Sequence, residues 1–282
     1  MNLNKLIKVL TERYGENNKG ASFPAPYAVP LFAEPTQKQL KQLENGDGNP
    51  IAEMCQINSS AGLAFNFYKL YEHAKGIEVN FEDKVEKPLR LKNNGGKYAN
   101  LDVSFYLDGT QYYIESKFLE PYYSKCKHNT CSYYNKDKQG NSVDNYKFPE
   151  GETELWLELL EHEKDFQYYD FPQLYRHLLA IRRRHNKQGK VVLQSVSWEM
   201  TDSFKAEYGI SKADEEMLKT LDDERQNAEE LFNGFLNNIG WTDCLFEMKD
   251  YNKMLGYISD GSQKCHDFCK QYFLDKEDGN EI

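Results

Sequence analysis

The 282-residue sequence lacks any apolar run near the length of about 20 residues that a membrane-spanning helix needs. Residues 1–10 also lack the continuous apolar core of a secretory signal peptide. The six cysteines are too few and too unevenly spaced for a disulfide framework in a chain this long. These absences favour a soluble cytoplasmic protein without a membrane partner.

The sequence has no excess of positive charge, because 35 lysines and arginines stand against 45 aspartates and glutamates and the formal net charge is −10. Sequence-independent binding of polyanions depends on basic residues, so a histone-like role is not expected. Neither a Gly-x-Ser-x-Gly turn nor a Gly-x-x-x-x-Gly-Lys-Ser/Thr phosphate loop occurs. We therefore expect neither a serine-hydrolase nucleophile nor ATP-driven activity.

Hydrophobic periodicity and turn residues divide the chain into three predicted parts. Residues 1–48 form an N-terminal arm that is amphipathic at its start and then interrupted by prolines. Residues 49–200 form an α/β core with an insertion at 119–165. Residues 201–282 are predicted to be an acidic, helical C-terminal region.

The predicted core alternates helices and strands. Its first helix starts at Asn49-Pro50, and its last strand is buried. In chain order, the predicted elements are the first helix to about residue 71, a strand near 85–91, a hairpin over 101–118, a helix near 154–161, a helix that begins at Asp170 and stops at Gly189, and a strand over 190–198.

The hairpin is the most informative segment. Asp108-Gly109 is a strong two-residue turn, and it sets Asp102 opposite Glu115. Alternation then places a polar set on one face: Asp102, Ser104, Tyr113, Glu115 and Lys117. Opposed carboxylates about 5 Å apart repel each other unless solvent or a divalent cation intervenes. The pattern therefore leaves two interpretations open, a metal site with Lys117 beside it or a solvated face of the hairpin.

A local basic patch lies between Phe171 and Trp198, where no acidic residue occurs. We predict that this patch contacts phosphates of a nucleic acid. An alternative is that its arginines only stabilise the carboxyl end of a helix. The predicted nucleic-acid-binding residues are Arg176, Arg182, Arg183, Arg184, Lys187 and Lys190.

Two cysteine and histidine clusters offer a further alternative. They are Cys126-Lys-His128-Asn-Thr-Cys131 and Cys265-His266-Asp-Phe-Cys269. Zinc sites usually combine two tight pairs of ligands, which neither cluster has. Reduced cysteines are the favoured interpretation, and a zinc-stapled interaction protein is the alternative.

The hairpin also carries a resemblance. Leu101-Asp102, followed after residues 103–114 by Glu115-Ser116-Lys117, resembles the motif of the PD-(D/E)xK nuclease superfamily. Leu101 stands where the name-giving proline is usual. The longer strings Asn100–Asp102, Ile114–Glu120 and Ser59–Asn66 are similar to a bacterial branch of that superfamily. The resemblance covers residues 49–199 and implies a restriction-endonuclease-like fold: helix, three strands, helix, strand, in a mixed sheet flanked by helices.

The resemblance implies roles for individual residues. Asp102 and Glu115 would bind Mg²⁺ or Mn²⁺ with help from the Ser116 carbonyl, and Lys117 would position the attacking water. The resemblance also implies an acid from the first helix, Glu53 with Glu72 as a weaker rival, and a later glutamine, Gln173. Glu120 would either support the metal ligands without touching the metal or be only a charge at the end of the strand.

The implied function is a metal-dependent endonuclease that hydrolyses phosphodiester bonds in nucleic acid, with DNA as the expected substrate. Restriction, defence and repair are all settings known for this superfamily. The alternative is a catalytically inactive nuclease fold that binds nucleic acid or assembles with other proteins. A homodimer formed through the acidic C-terminal helices stays open.

Overall fold

The computed structural model describes residues 1–17, 32–46, 56–86, 98–126, 148–259 and 261–274. Their strands form one five-stranded mixed sheet in chain order. The strands are β1 (Val79–Lys84), β2 (Asn100–Leu107), β3 (Thr110–Lys117), β4 (Lys190–Ser197) and β5 (Cys244–Asp250). β1 to β3 pair antiparallel, and β3 to β5 pair parallel.

Helices cover both faces of this sheet. In chain order they are α1 (Leu3–Asn17), α2 (Gln37–Glu44), α3 (Ser60–Lys75), the single turn α4 (Glu120–Tyr123), α5 (Thr153–Glu161), α6 (Phe171–His185), α7 (Asp202–Tyr208), α8 (Lys212–Asn238) and α9 (Gln263–Gln271). Short 3-10 helices occupy His162–Asp165 and Leu255–Tyr257. The predicted fold class, an α/β restriction-endonuclease-like core with a helical extension, is confirmed.

α3 packs on one face of the sheet. The hydroxyl of Ser59 accepts a hydrogen bond from the Gly62 N–H at its start, and Gly76 ends it with φ of 64°. The ring of Phe65 lies 4.9 Å from that of Phe81 on β1, measured between centroids. Aromatic side chains thus join the first helix of the core to the antiparallel half of the sheet.

α6 covers the opposite face. Asp170 accepts a hydrogen bond from the Gln173 N–H at its start, and at its end His185 Nε2 lies 2.9 Å from the Tyr113 hydroxyl of β3. The solvated-face interpretation of the hairpin is therefore wrong, because α6 excludes water from its polar side. Glu115 is only 2% exposed as a result.

Two predicted elements fall partly outside the described residues, since residues 47–55 and 87–97 are not described. The part of the predicted first helix that is described begins at Ser60, because Ser59 caps it there. The first described strand occupies Val79–Lys84, where it pairs with β2, and the predicted strand at 85–91 lies mostly outside the described residues. α6 ends before Gly189, since Asn186 already has a left-handed φ of 47°.

The predicted helical region after residue 200 contains a strand that the sequence did not reveal. β5 pairs with β4 from Val191↔Cys244 to Ser197↔Asp250. α8 packs against β5, where the Asn233 side chain hydrogen-bonds both the N–H and the carbonyl of Phe246. The region beyond residue 200 thus completes the same sheet that carries the hairpin.

Candidate functional site

The hairpin has the predicted register, with Leu107↔Thr110 and Phe105↔Tyr112 as partners. The ladder ends one position before Asp102 and Glu115, at Val103↔Ile114. Beyond that point a side chain replaces the backbone pairing: Asp102 Oδ2 accepts a hydrogen bond from the Ser116 N–H at 2.7 Å. The structure therefore fixes Asp102 against the segment that carries the other predicted site residues.

Lys117 is held by three oxygen-bearing side chains. Its Nζ lies 2.9 Å from Glu115 Oε1 and 2.5 Å from Gln173 Oε1. Asp170, which caps α6, is 4.0 Å away. The structure thus brings Glu115, Lys117 and Gln173 together, and the start of α6 is what places Gln173 there.

His177 is a site residue that the sequence analysis did not identify. Its Nε2 lies 3.0 Å from Glu115 Oε2, although the pair lacks the alignment of a hydrogen bond. His177 follows Gln173 by four residues, so both side chains lie on the face of α6 that meets the sheet. The four-residue spacing from Gln173 was the one sequence pattern that could have indicated His177. Only the packing of α6 shows which strand His177 faces.

Opposite electrostatic effects act on the carboxylates of Glu115 and Asp102. Burial alone would raise the pKa of Glu115, but the charges of Lys117 and His177 outweigh it and lower the pKa to about 2. Burial, and then the negative charges of Glu115 and Glu82, raise the pKa of Asp102 well above its ordinary value. A cation near Asp102 would oppose that rise, because it stabilises the charged form of the carboxylate.

Lys117 keeps its charge in this site. Burial alone would lower its pKa, but the carboxylate of Glu115 and then those of Asp170 and Glu120 raise the pKa above its ordinary value. An ammonium group is therefore available beside the two carboxylates. It can donate hydrogen bonds to a water molecule or to a phosphate oxygen.

Glu82 is a second residue that the sequence analysis missed. It lies in β1 between the partners of Leu101 and Val103, so it sits beside Asp102. Its φ of 52° is a left-handed value that few non-glycine residues adopt. Besides Glu115, an acid that acts on Asp102 thus comes from β1, whereas the resemblance placed an additional acid on the first helix.

The two predicted helix acids differ in what the structure shows. Glu53 lies outside the described residues. Glu72 is committed to local structure, since it pairs with Lys69 and accepts hydrogen bonds from the Val79 N–H and from Gln39. Glu72 therefore caps the start of β1 and does not reach the site.

Glu120 and Ser116 support the end of β3. Glu120 Oε2 accepts a hydrogen bond from the Phe118 N–H at 2.9 Å. The Ser116 hydroxyl lies 2.7 Å from the Tyr251 hydroxyl, on the side of β3 that faces α3. The role of the Ser116 carbonyl as a metal ligand stays a prediction.

The donor set suits a hard cation with few protein ligands. Glu115 Oε2 is buried and has no hydrogen-bond partner among the described residues. Within those residues, no group of three or more His, Cys, Asp or Glu side chains converges on one point. Mg²⁺ often takes one or two carboxylates and completes its shell with water and phosphate oxygens. Asp102 and Glu115 fit that pattern.

The six predicted basic residues fall into separate groups. Arg182 is 6% exposed and its Nη2 lies 2.6 Å from Glu152 Oε1, while the Lys187 Nζ lies 2.8 Å from the same oxygen. Arg184 lies 3.4 Å from Asp83. Lys190 is far along the sheet from Lys117, since it pairs with Thr110 at the hairpin tip, whereas the Arg184 guanidinium lies 5.9 Å from the centroid of the Tyr113 ring.

Arg176 lies apart from that group, in a cavity beside Lys117. The cavity has a volume of about 210 Å³ and is bounded by α4, the start of α6 and the segment before it. Its lining includes Lys117, Glu120, Lys125, Tyr168, Asp170 and Arg176. The structure thus places one of the six predicted basic residues at the site itself.

A carboxylate from α8 fixes one wall of this cavity. Glu224 is 7% exposed and accepts hydrogen bonds from the backbone N–H groups of Gln167, Tyr168 and Tyr169, at 2.6, 2.9 and 2.9 Å. These residues lead directly into Asp170 and α6. The C-terminal region therefore positions the segment that holds Gln173 against Lys117.

The cysteine clusters are only partly described. His128 and Cys131 lie outside the described residues. Cys265 and Cys269 lie one turn apart on α9, where Cys265 is buried. The zinc alternative stays a prediction.

Comparisons with known proteins point to one family. Residues 11–201, more than half of the chain, match the model of a family described as restriction endonuclease associating with ARP. The match spans the hairpin, Lys117 and α6, which confirms the predicted restriction-endonuclease-like relationship. No curated protein matches the chain, and no solved structure does. None of the helices in the described segments is long and apolar enough to cross a membrane. The chain therefore belongs to the family of restriction endonucleases associating with ARP.

Proposed function

We propose that this protein is a metal-dependent endonuclease that hydrolyses phosphodiester bonds in nucleic acid, with DNA as the substrate. The observation that supports this most directly is the convergence of Asp102, Glu115 and Lys117 at the end of the hairpin. The family match supports the same class of activity. A restriction or defence role fits that family.

Asp102 and Glu115 are the residues that would hold Mg²⁺ or Mn²⁺. The chemistry that such an ion supplies when bound is polarisation of a phosphate oxygen and activation of a water molecule. Glu115 brings a buried oxygen that lies 3.0 Å from His177 Nε2 without an aligned hydrogen bond, and Asp102 is held in place by the Ser116 N–H. Both carboxylates are thus pre-positioned by the strands that carry them.

Lys117 acts on the water and on the phosphate. Its ammonium group donates hydrogen bonds that orient the attacking oxygen and stabilise the negative charge that grows on the phosphate oxygens. Gln173 accepts one of those hydrogen bonds and fixes the direction of the side chain. His177 lies against the far oxygen of Glu115 and keeps that carboxylate turned towards Lys117.

The test is cleavage of supercoiled plasmid, single-stranded DNA and RNA in Mg²⁺, Mn²⁺ or EDTA. We expect metal-dependent cutting of DNA by the wild type, and a loss of about 100-fold or more in Asp102→Asn and in Lys117→Ala. Lys219→Gln is the matched control, because Lys219 is exposed on α8 and its loss removes one charge from outside the cavity beside Lys117.

Two outcomes contradict the proposal. Cutting that survives in both site variants would assign the activity to another site or to a contaminant. Binding of nucleic acid without cutting of any substrate would favour the alternative, a nuclease fold that only binds or assembles.

A further inference from the structure

We propose that the cavity beside Lys117 is a subsite for a DNA phosphate next to the scissile one, and that Arg176 binds it. This inference rests on the proposed function, because it assigns part of the same substrate. The starting observation is Arg176 itself, whose Nη1 is buried and has no hydrogen-bond partner among the described residues. A buried guanidinium nitrogen in that condition is costly unless a hydrogen-bond acceptor reaches it, and an anion satisfies both its N–H groups and its charge.

The described residues around Arg176 do not supply that anion. No carboxylate of the described residues lies within ion-pair distance of it, including Glu120 and Asp170, which line the same cavity. Glu120 is engaged with the Phe118 N–H, and Asp170 caps α6. The cavity therefore presents Arg176 as a positively charged group towards whatever occupies it.

The charge of the cavity favours a phosphate group. Lys117, Lys125 and Arg176 contribute three positive charges, against two negative charges from Glu120 and Asp170. A volume of about 210 Å³ accommodates a phosphate with bridging water. The planar fork of arginine can donate two parallel hydrogen bonds to phosphate oxygens, which a carboxylate-lined or apolar pocket cannot offer.

The position of the cavity identifies which phosphate it would take. Arg176 follows Gln173 by three residues and precedes His177, so it lies on the turn of α6 that holds Lys117 and Glu115. A phosphate bound there is a neighbour of the one that Lys117 contacts. Glu224 holds residues 167–169, so the opposite wall of the cavity is rigid before substrate arrives.

The test measures DNA binding without catalysis. A fluorescently labelled DNA duplex is titrated with the full-length protein in EDTA over a series of KCl concentrations. We expect Arg176→Gln to bind roughly tenfold more weakly and to lower the slope of log K against log salt by about one. Arg176→Lys should recover the salt slope but only part of the affinity, because it restores the charge without the fork.

Lys219→Gln removes one exposed positive charge on α8 and serves as the matched control, with the salt slope of the wild type expected. Thermal unfolding of each variant checks that it folds. If Arg176→Gln does not fold, the comparison of Arg176→Lys with the wild type is the test. An unchanged slope in Arg176→Gln, or an equal fall in Lys219→Gln, overturns the subsite.

The two proposals fail in different ways. If the wild type cuts DNA but Arg176→Gln binds it like Lys219→Gln, the subsite is wrong and the nuclease stands. If the wild type binds DNA but cuts nothing, the salt slope still tests whether Arg176 contacts a phosphate. Absence of any DNA binding by the wild type overturns both.

Discussion

Replacing Arg182 by glutamine would separate a structural role from a role in nucleic-acid binding. Arg182 was predicted to contact nucleic acid, yet its side chain is buried against Glu152, with 2.6 Å between Nη2 and Oε1. Removal of one member of a buried ion pair typically costs about 3–5 kcal/mol, because the remaining charge is left without its partner. Here Lys187 also contacts Glu152, so the Glu152 carboxylate keeps a positively charged partner when Arg182 is removed.

We therefore expect Arg182→Gln to lower the free energy of unfolding by about 2–3 kcal/mol, the contribution of a hydrogen bond between charged groups. Glu152→Gln should cost more, because it leaves both Arg182 and Lys187 without a carboxylate. The double variant should be less unstable than the sum of the two, with a coupling of about 1–3 kcal/mol. Urea-induced unfolding followed by two spectroscopic probes measures all three.

The pH dependence provides an independent check on the same cluster. Burial alone would raise the pKa of Glu152, but hydrogen bonds from Arg182, Lys187 and Trp156 lower it. A carboxylate with a lowered pKa in the folded state adds stability above its unfolded pKa of about 4.3, and this stability is lost as the pH falls. Glu152→Gln should therefore weaken the loss of stability on acidification.

The reasoning would be refuted by an Arg182→Gln protein as stable as the wild type that has lost affinity for DNA. That result would show that the contact with Glu152 contributes little and that Arg182 turns outward to its ligand. A variant that is unstable but binds DNA normally below its unfolding transition would support the structural role.

Three further variants probe the site. Glu224→Ala should lose about 2–4 kcal/mol of stability, because three backbone N–H groups lose their acceptor, whereas exposed Glu230→Ala should stay within about 0.5 kcal/mol in the same thermal or urea unfolding assay. His177→Ala should slow single-turnover cleavage about 10- to 100-fold with little change in KM, since His177 only orients Glu115; a rise in KM of the same size would contradict this. Asp102→Asn should raise the Tm in EDTA by removing a buried negative charge beside Glu115 and should abolish stabilisation by Mg²⁺; a retained Mg²⁺ shift would exclude Asp102 as a ligand.

The hairpin could be predicted because its signals are local. Asp108 and Gly109 adopt φ values of 48° and 80°, which the Asp-Gly pair favours in a two-residue turn. The turn fixes the register, and the register fixes which side chains share a face. Asp102, Glu115 and Lys117 could therefore be grouped from the sequence alone.

His177 could not be assigned to the site, because its contact with Glu115 depends on how α6 lies across the sheet. A histidine on the buried face of a helix gives no sign of which strand it meets. The same limit applies to Glu224, whose hydrogen-bond donors lie more than fifty residues earlier in the chain. Both contacts are products of tertiary packing and leave no local pattern.

β5 was missed for a different physical reason. The segment Cys244–Asp250 contains no β-branched residue, and its intrinsic preference for a strand is weak. Pairing with β4 along seven positions supplies the stabilisation that the local sequence does not. An acidic helix of 27 residues directly before it makes a helical interpretation the natural one.

The family match stops at residue 201, but the sheet does not. A polypeptide ending there would leave β4 as a bare edge, with unpaired backbone N–H and C=O groups along its whole length. Every residue of β4 except Lys190 is buried, and Val191, Val192, Leu193 and Val196 are apolar, so this strand would also expose apolar side chains. Such an edge recruits strands from other molecules and leads to aggregation. The residues after 201 therefore supply β5, and its pairing with β4 keeps that edge from being available to strands of other molecules.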